Sequence, residues 1–212
     1  MKVNVDYSKS HLAYNIIKRL FDIIASLIGI IVLSWLFLIL IILIKVDDSK
    51  GSVFYYQNRV GLNGKKFRMY KFRSMVSNAD QLLKELQDKN EVTGAMFKLK
   101  NDPRITKVGR FIRKYSLDEL PQLLNVIQGS MSLVGPRPPL ESEYAQYTDY
   151  DKQRLIVRPG CTGAWQVGGR NDVGFDEMVQ LDLNYINHRS LFLDLKIIFQ
   201  TVMIMIKPNG AY

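Results

Sequence analysis

The chain has 212 residues, 29 Lys and Arg against 20 Asp and Glu, and a formal net charge of +9. That length allows one sizeable core, or one core with a small appendage. The positive excess favours an anionic partner (nucleic acid, a membrane surface or a phosphorylated substrate), and the single cysteine, Cys161, excludes an internal disulfide and a cysteine-based metal site.

Residues 1–12 are polar, and from Ala13 the sequence reads helical into Ile23–Ile44, 22 residues without a charge. At about 1.5 Å per residue this stretch is roughly 33 Å long, near the thickness of a bilayer core. Lys45-Val46-Asp47-Asp48 follows it, where a signal peptide would carry a small-residue cleavage site. A buried core helix is ordinarily shorter. Lys18 and Arg19 precede the stretch, while Lys45 and Lys50 follow it. The preference of basic residues for the cytoplasm therefore draws both ends to one side. A helix that dips into one leaflet, breaks and returns meets that demand, whereas a straight crossing does not. Trp35, in the middle of the stretch, also suits a shallow dip, because Trp prefers the interface.

Val53–Val60 and Lys66–Met75 read as two strands around the turn dipeptide Asn63-Gly64. Arg59 through Met75 holds six basic residues and no acid. A solvated basic face is the plain reading of that run, and its place after the apolar stretch suits anionic headgroups. A surface helix is expected over Ser77–Glu91 and a short one over Ile105–Lys114. Ser116-x-x-Glu119 has the capping-box spacing, with Pro121 awkward inside the helix that such a box would open. Polar amphipathic helices are expected over Glu141–Val157 and Asp176–Ser190, the second with Met178, Leu181, Tyr185 and His188 on one face. Leu191–Lys207 reads as an interfacial or core helix. The fold class is mainly α with a small β-hairpin (α+β). Residues 1–50 are expected to form a membrane-anchoring helical segment, and 51–212 the domain that carries the chemistry.

The chemistry centres on Asp118-Glu119. Seven Lys or Arg and one acid, Asp102, lie between Lys98 and Lys114 just before the pair. Glu119 as a cap and Asp118 as a first-turn acid would explain two such residues alone. The surrounding cations favour a second reading, in which Asp118 attacks phosphorus and Glu119 binds a divalent cation, Mg²⁺ fitting best. Arg110, Arg113, Lys114 and Arg137 then neutralise phosphate. Gly135-Pro136-Arg137-Pro138-Pro139 sets one guanidinium on a stiff backbone. Arg158 and Arg170, beside glycines, are candidate phosphate or nucleotide contacts. Neither glycine-bearing loop matches a P-loop or dinucleotide fingerprint. Asp194, inside an apolar helix, calls for a buried partner such as a salt bridge. His11 and His188 form no metal cluster, and Cys161 reads as a packed residue.

Several pieces together resemble the monotopic polyprenyl-phosphate phosphoglycosyl transferases, the bacterial sugar transferase family. These are Lys18-Arg19-Leu20-Phe21-Asp22, Gln57-Asn58-Arg59-Val60-Gly61, Tyr70-Lys71-Phe72-Arg73-Ser74-Met75, Ser116-Leu117-Asp118-Glu119-Leu120, Ser132-Leu133-Val134-Gly135-Pro136-Arg137-Pro138, Arg158-Pro159-Gly160, Gly169-Arg170-Asn171 and Leu193-Asp194-Leu195-Lys196. They stand in the family's order and cover roughly residues 15–207.

The resemblance implies transfer of a sugar 1-phosphate from a UDP-sugar to undecaprenyl phosphate, with release of UMP. It implies Asp118 as the nucleophile of a covalent phosphosugar intermediate and Glu119 as a Mg²⁺ ligand. Substrate phosphate and nucleotide contacts are expected from Arg73, Arg113, Arg137, Arg158, Arg170 and Asp194. The implied place is the cytoplasmic face of the bacterial inner membrane, in contact with membrane lipids and not nucleic acid, with self-association left open. The family's membrane element is a re-entrant helix hairpin, usually broken at a Ser-Pro pair. Here the pair is Ser34-Trp35, so a full crossing stays open. Lys98–Thr106 resembles members that use UDP-glucose or UDP-galactose and prime capsule or exopolysaccharide assembly. The competing reading is a membrane-tethered basic module that binds anionic lipid or nucleic acid.

Overall fold

The computed structural model describes residues 12–86, 99, 102–168 and 174–206. The apolar stretch folds as two helices, α1 (Leu12–Val32) and α2 (Ser34–Asp47), bent by 61° about Leu33. Neither helix alone is long and apolar enough to cross a membrane; the bent pair together meets that test by length and composition. The bend falls one residue before Ser34-Trp35. Leu33 itself leaves helical geometry there, at φ −91°, ψ 6°, and makes no side-chain cap bond. Packing sets its direction. Gly29 of α1 lies against Leu123, while Leu40 and Ile44 of α2 join Phe72 and Ile112 in a separate cluster.

α1 reverses the usual amphipathic order of a helix in water. It buries Lys18, Asp22 and Ser26, four residues apart on one side, and exposes Ile16, Ile17, Leu20, Ile24, Leu27 and Ile28.

The expected hairpin is present as β1 (Phe54–Val60) and β2 (Lys66–Phe72), paired antiparallel from Phe54↔Phe72 to Val60↔Lys66. Asn63 and Gly64 both take positive φ, 54° and 77°, which is why that dipeptide suits the turn. The outer edge of β2 is covered by one side chain. The Asn125 carboxamide accepts from Tyr70 N at 2.9 Å and donates to Arg68 O at 2.7 Å, as a neighbouring strand would.

α3 (Ala79–Leu86) is the described part of the expected 77–91 helix. α4 (Lys107–Lys114) is capped by Thr106, whose Oγ1 accepts from Gly109 N at 2.9 Å. A short 3₁₀ turn (Leu117–Glu119) and α5 (Gln122–Gln128) follow. β3 (Ser132–Val134) and β4 (Gly160–Thr162) pair in parallel, Ser132↔Gly160 and Val134↔Thr162, which the sequence reading did not foresee. Glycine is required where they meet, because a Cβ on Gly160 would come within 2.1 Å of Gly135 N.

The long helix expected over 141–157 is replaced by α6 (Glu141–Tyr144), α7 (Asp149–Lys152) and a 3₁₀ segment, Gln153–Ile156. Thr148 interrupts it by capping α7 with a reciprocal bond to Asp151. α8 (Ala164–Gly168), α9 (Phe175–His188) and α10 (Leu191–Ile206) complete the chain. The buried side of α9 is Val179, Asp182, Leu183, Tyr185 and Ile186, one position round from the expected stripe, and His188 is exposed. That side packs with Val134, Val157 and Ile197 into the main core.

Candidate functional site

The site grows from Ser116. Its left-handed backbone, φ 54°, ends the run of α4 and turns the chain sharply. The next three residues form the 3₁₀ turn that projects two consecutive acids. The expected capping box is absent: Ser116 makes no cap bond, and the Glu119 carboxylate turns to Lys71 instead. Pro121, φ −62°, sits just before α5, where its missing N–H costs nothing.

Lys71, on β2, lies between the two acids. Its Nζ is 2.7 Å from Glu119 Oε1 and 3.7 Å from Asp118 Oδ2. Asp118 is buried, with 7 % of its surface exposed. Burial pushes the Asp118 carboxyl up, and the neighbouring Glu119 charge adds to this against the pull of Lys71 and Arg113. Burial pushes Glu119 up too, but Lys71, Arg137 and Arg59 outweigh it and hold Glu119 at about 2. The two acids are thus unequal. Glu119 is fixed as an anion by its cations, while Asp118 is withdrawn from water, and such divergence is common in paired catalytic carboxyls.

A cavity opens beside the pair, lined by Glu119, Arg59, Gln122, Arg137, Cys161 and Gln166 among others. Arg137 enters it from the proline-rich loop. The loop's three prolines lack an N–H, so the segment mostly accepts hydrogen bonds. Its carbonyls are taken in turn: Pro136 O by Gly160 N at 2.9 Å, Pro138 O by Arg59 Nη1 at 3.1 Å and Pro139 O by Val60 N at 3.0 Å. Behind the loop, Arg154 is 1 % exposed. It pairs with Asp182 at 2.6 Å, and its Nη1 donates to Tyr147 Oη at 2.8 Å. The stiffness expected of the loop therefore comes from its surroundings as well as from proline.

The other expected site residues fall in different places. Arg113 acts on Asp118 through its charge. Arg73 binds Ser52 Oγ at 2.9 Å, at the far end of β2. Arg158 lines a second cavity, with Arg19 and Asp22 of α1, and donates to Gly129 O at 3.0 Å. Asp194 is fully buried, and its oxygens accept from Lys18 Nζ at 2.9 Å, Tyr14 Oη at 2.9 Å and Tyr185 Oη at 2.6 Å. The salt-bridge reading of Asp194 is realised, and its oxygens are enclosed and occupied by protein donors. Arg170 lies outside the described residues. Burial, then the Glu119 charge, pushes the Cys161 thiol far up, in keeping with a packed residue.

Lys71, Arg59, Gln122 and Arg154 were not singled out by sequence reasoning as site residues. Lys71 and Arg59 stood in the basic run, whose alternation along a strand was the usable signal. Arg154 carried none, because its partner Asp182 is 28 positions away. Among the described residues, no group of three or more His, Cys, Asp and Glu is arranged to hold a metal ion. The carboxylate that lines the cavity is Glu119, with Asp118 next to it in the chain.

Comparison with known proteins gives this geometry a context. Residues 13–208 match the family described as bacterial sugar transferase. The chain is 49 % identical over 206 residues to "Galactosyl transferase CpsE" of Streptococcus agalactiae serotype III, covering 97 % of this chain and 45 % of that one. It is 48 % identical over 200 residues to "Undecaprenyl-phosphate galactose phosphotransferase" of Salmonella typhimurium, covering 92 % and 42 %. It is 46 % identical over 199 residues to "Exopolysaccharide production protein ExoY" of Rhizobium meliloti, covering 92 % and 88 %. The chain thus spans less than half the length of the first two relatives and most of the third. With the match extending over nearly all of its residues, the chain belongs to the bacterial sugar transferase family.

Proposed function

We propose that the protein transfers a sugar 1-phosphate from a UDP-sugar to undecaprenyl phosphate, releasing UMP, and so primes exopolysaccharide or capsule repeat units. The observation that carries this reading is a buried carboxylate, Asp118, beside a second acid pinned by Lys71 and faced by guanidinium groups. In the first step a carboxylate oxygen of Asp118 attacks the phosphorus bearing the sugar. The bond from that phosphorus to the bridging diphosphate oxygen breaks, and UMP leaves with the oxygen. In the second step a phosphate oxygen of undecaprenyl phosphate attacks the same phosphorus. The aspartyl–phosphorus bond breaks and the Asp118 carboxylate is restored. Covalent catalysis of this kind divides one hard transfer into two easier ones. Lys71, Arg113 and Arg137 offset charge on the phosphoryl oxygens.

Glu119 is the residue assigned to Mg²⁺. One of its oxygens is taken by Lys71, so the protein offers few donors. That suits an ion usually held by one or two carboxylates and completed by substrate phosphates and water. When bound, it would supply neutralisation of the diphosphate. The bent α1–α2 pair, apolar outward along both helices and polar inward along α1, is assigned to the cytoplasmic leaflet of the inner membrane, since a helix with lipid as its surroundings exposes apolar side chains.

UMP release across a panel of UDP-sugars, with undecaprenyl phosphate and Mg²⁺, tests the reading. UDP-galactose or UDP-glucose is the expected donor, and two of the relatives above carry galactose in their names. Asp118→Asn should abolish release while the melting profile stays near wild type. Near-wild-type turnover by that variant would remove Asp118 from its role. Salt-sensitive nucleic-acid binding with no UMP release from any donor would favour the basic binding module instead.

A further inference from the structure

The cavity beside Glu119 contains two polar side chains, Arg59 and Gln122, whose donors are not all used by the acids or the loop. Arg59 is 6 % exposed, yet among the described residues it lies within ion-pair distance of no carboxylate, and the same is true of Arg137. Its Nη1 holds Pro138 O, its Nη2 binds Gln57 Oε1 at 2.8 Å, and its Nε is shut from solvent without a partner. Burying a guanidinium next to a like charge is unfavourable. Burial, then the Arg137 charge, lowers the Arg59 pKa to about 10. A fold that needed only to hold Pro138 O could do so with a neutral donor. Gln122, at the first position of α5, is 2 % exposed and lines the same cavity. Its carboxamide makes no hydrogen bond with any described residue, and its polar atoms are not among those sealed from solvent, so it is left to the cavity.

The charge count agrees with a missing anion. Lys71, Arg113, Arg59 and Arg137 act on Asp118 and Glu119, and Glu143 is a further acid toward Arg59, so cations outnumber acids around the cavity.

We propose that Arg59 and Gln122 are substrate-binding residues, which together with Arg137 grip the diphosphate of the donor: Arg59 through its guanidinium and Gln122 through its carboxamide N–H. This deepens the reading above and rests on it. Arg59 then has two duties, holding the loop that carries Arg137 and adding a second guanidinium to the same ligand. Gln122 has only one, so replacing it separates binding from folding.

The decisive variant is Gln122→Met, close in volume and without hydrogen-bonding groups. It should leave the melting temperature near wild type, because no hydrogen bond to a described residue is lost. It should also raise KM for the UDP-sugar about tenfold and weaken UDP binding by calorimetry to a similar degree. Arg59→Lys, which keeps the charge and one donor, should fold and show a rise in KM of about tenfold or more. Arg59→Met should lose measurable UDP binding. Wild-type KM and wild-type UDP affinity in both Gln122→Met and Arg59→Lys would overturn the inference while leaving phosphosugar transfer intact. Failure of the wild-type protein to release UMP from any UDP-sugar would instead overturn the reading on which the inference rests.

Discussion

At the scale of single residues, Lys71 decides how two neighbouring acids divide their work. Its ammonium is close to both, but the shorter contact goes to Glu119. Replacing it with Met would leave two adjacent carboxylates facing each other with less compensation, and one of them would take a proton. Lys71→Met should therefore lower kcat by roughly 100-fold or more, the scale of losing one well-placed electrostatic contact, with a far smaller effect on folding. A turnover assay beside a melting curve checks this; unchanged kcat would show that Lys71 is only a structural counter-ion. The acids themselves were legible in the sequence as consecutive residues after a basic run. Their cation was not, since it comes from a strand 48 positions earlier. Ser116 misled for a local reason. Its spacing to Glu119 fits a capping box, but its left-handed backbone turns the side chain away from that role.

At the scale of elements, the sequence was informative where one strong local preference acts. Asn63-Gly64 places the hairpin because both residues accept positive φ. β3 and β4 are three residues each and pair in parallel across a long separation, so no periodicity announces them. Their pairing is nonetheless what sets the Arg137 loop against Gly160. The edge of β2 offers a direct test. Asn125 satisfies Tyr70 N and Arg68 O at once, and Asn125→Ala leaves both without that partner. Each buried, unpaired backbone group costs about 1–3 kcal/mol, so a loss of about 2–4 kcal/mol is expected in chemical denaturation. A loss under about 0.5 kcal/mol would place the variant among ordinary surface changes and remove this role from Asn125.

At the scale of the whole molecule, the N-terminal segment is fastened to the rest by buried charge. Lys18 of α1 reaches Asp194 of α10, and Asp22 accepts from Ser132 Oγ at 2.7 Å beside β3. A helix tied down by its polar side, as α1 is, can present its apolar side to lipid. The charge at both ends of the apolar stretch was visible in the sequence, and so was the ambiguity left by Trp35 in place of proline. The 61° bend was not, because it follows from what each half packs against. A tag at residue 1 should accordingly be cytoplasmic. An impermeant reagent applied to intact cells should leave it unlabelled until the membrane is opened. Labelling from outside would replace the re-entrant pair with a full crossing.

The central claim is that phosphorus passes through Asp118. Stopping the reaction with UDP-sugar present and acceptor absent, followed by proteolysis and mass spectrometry, measures this directly. The account predicts a hexose phosphate joined to Asp118 as an acyl phosphate, absent from Asp118→Asn and lost when undecaprenyl phosphate is added. An adduct on another residue, or product formation at full rate with no adduct at any time, would contradict it.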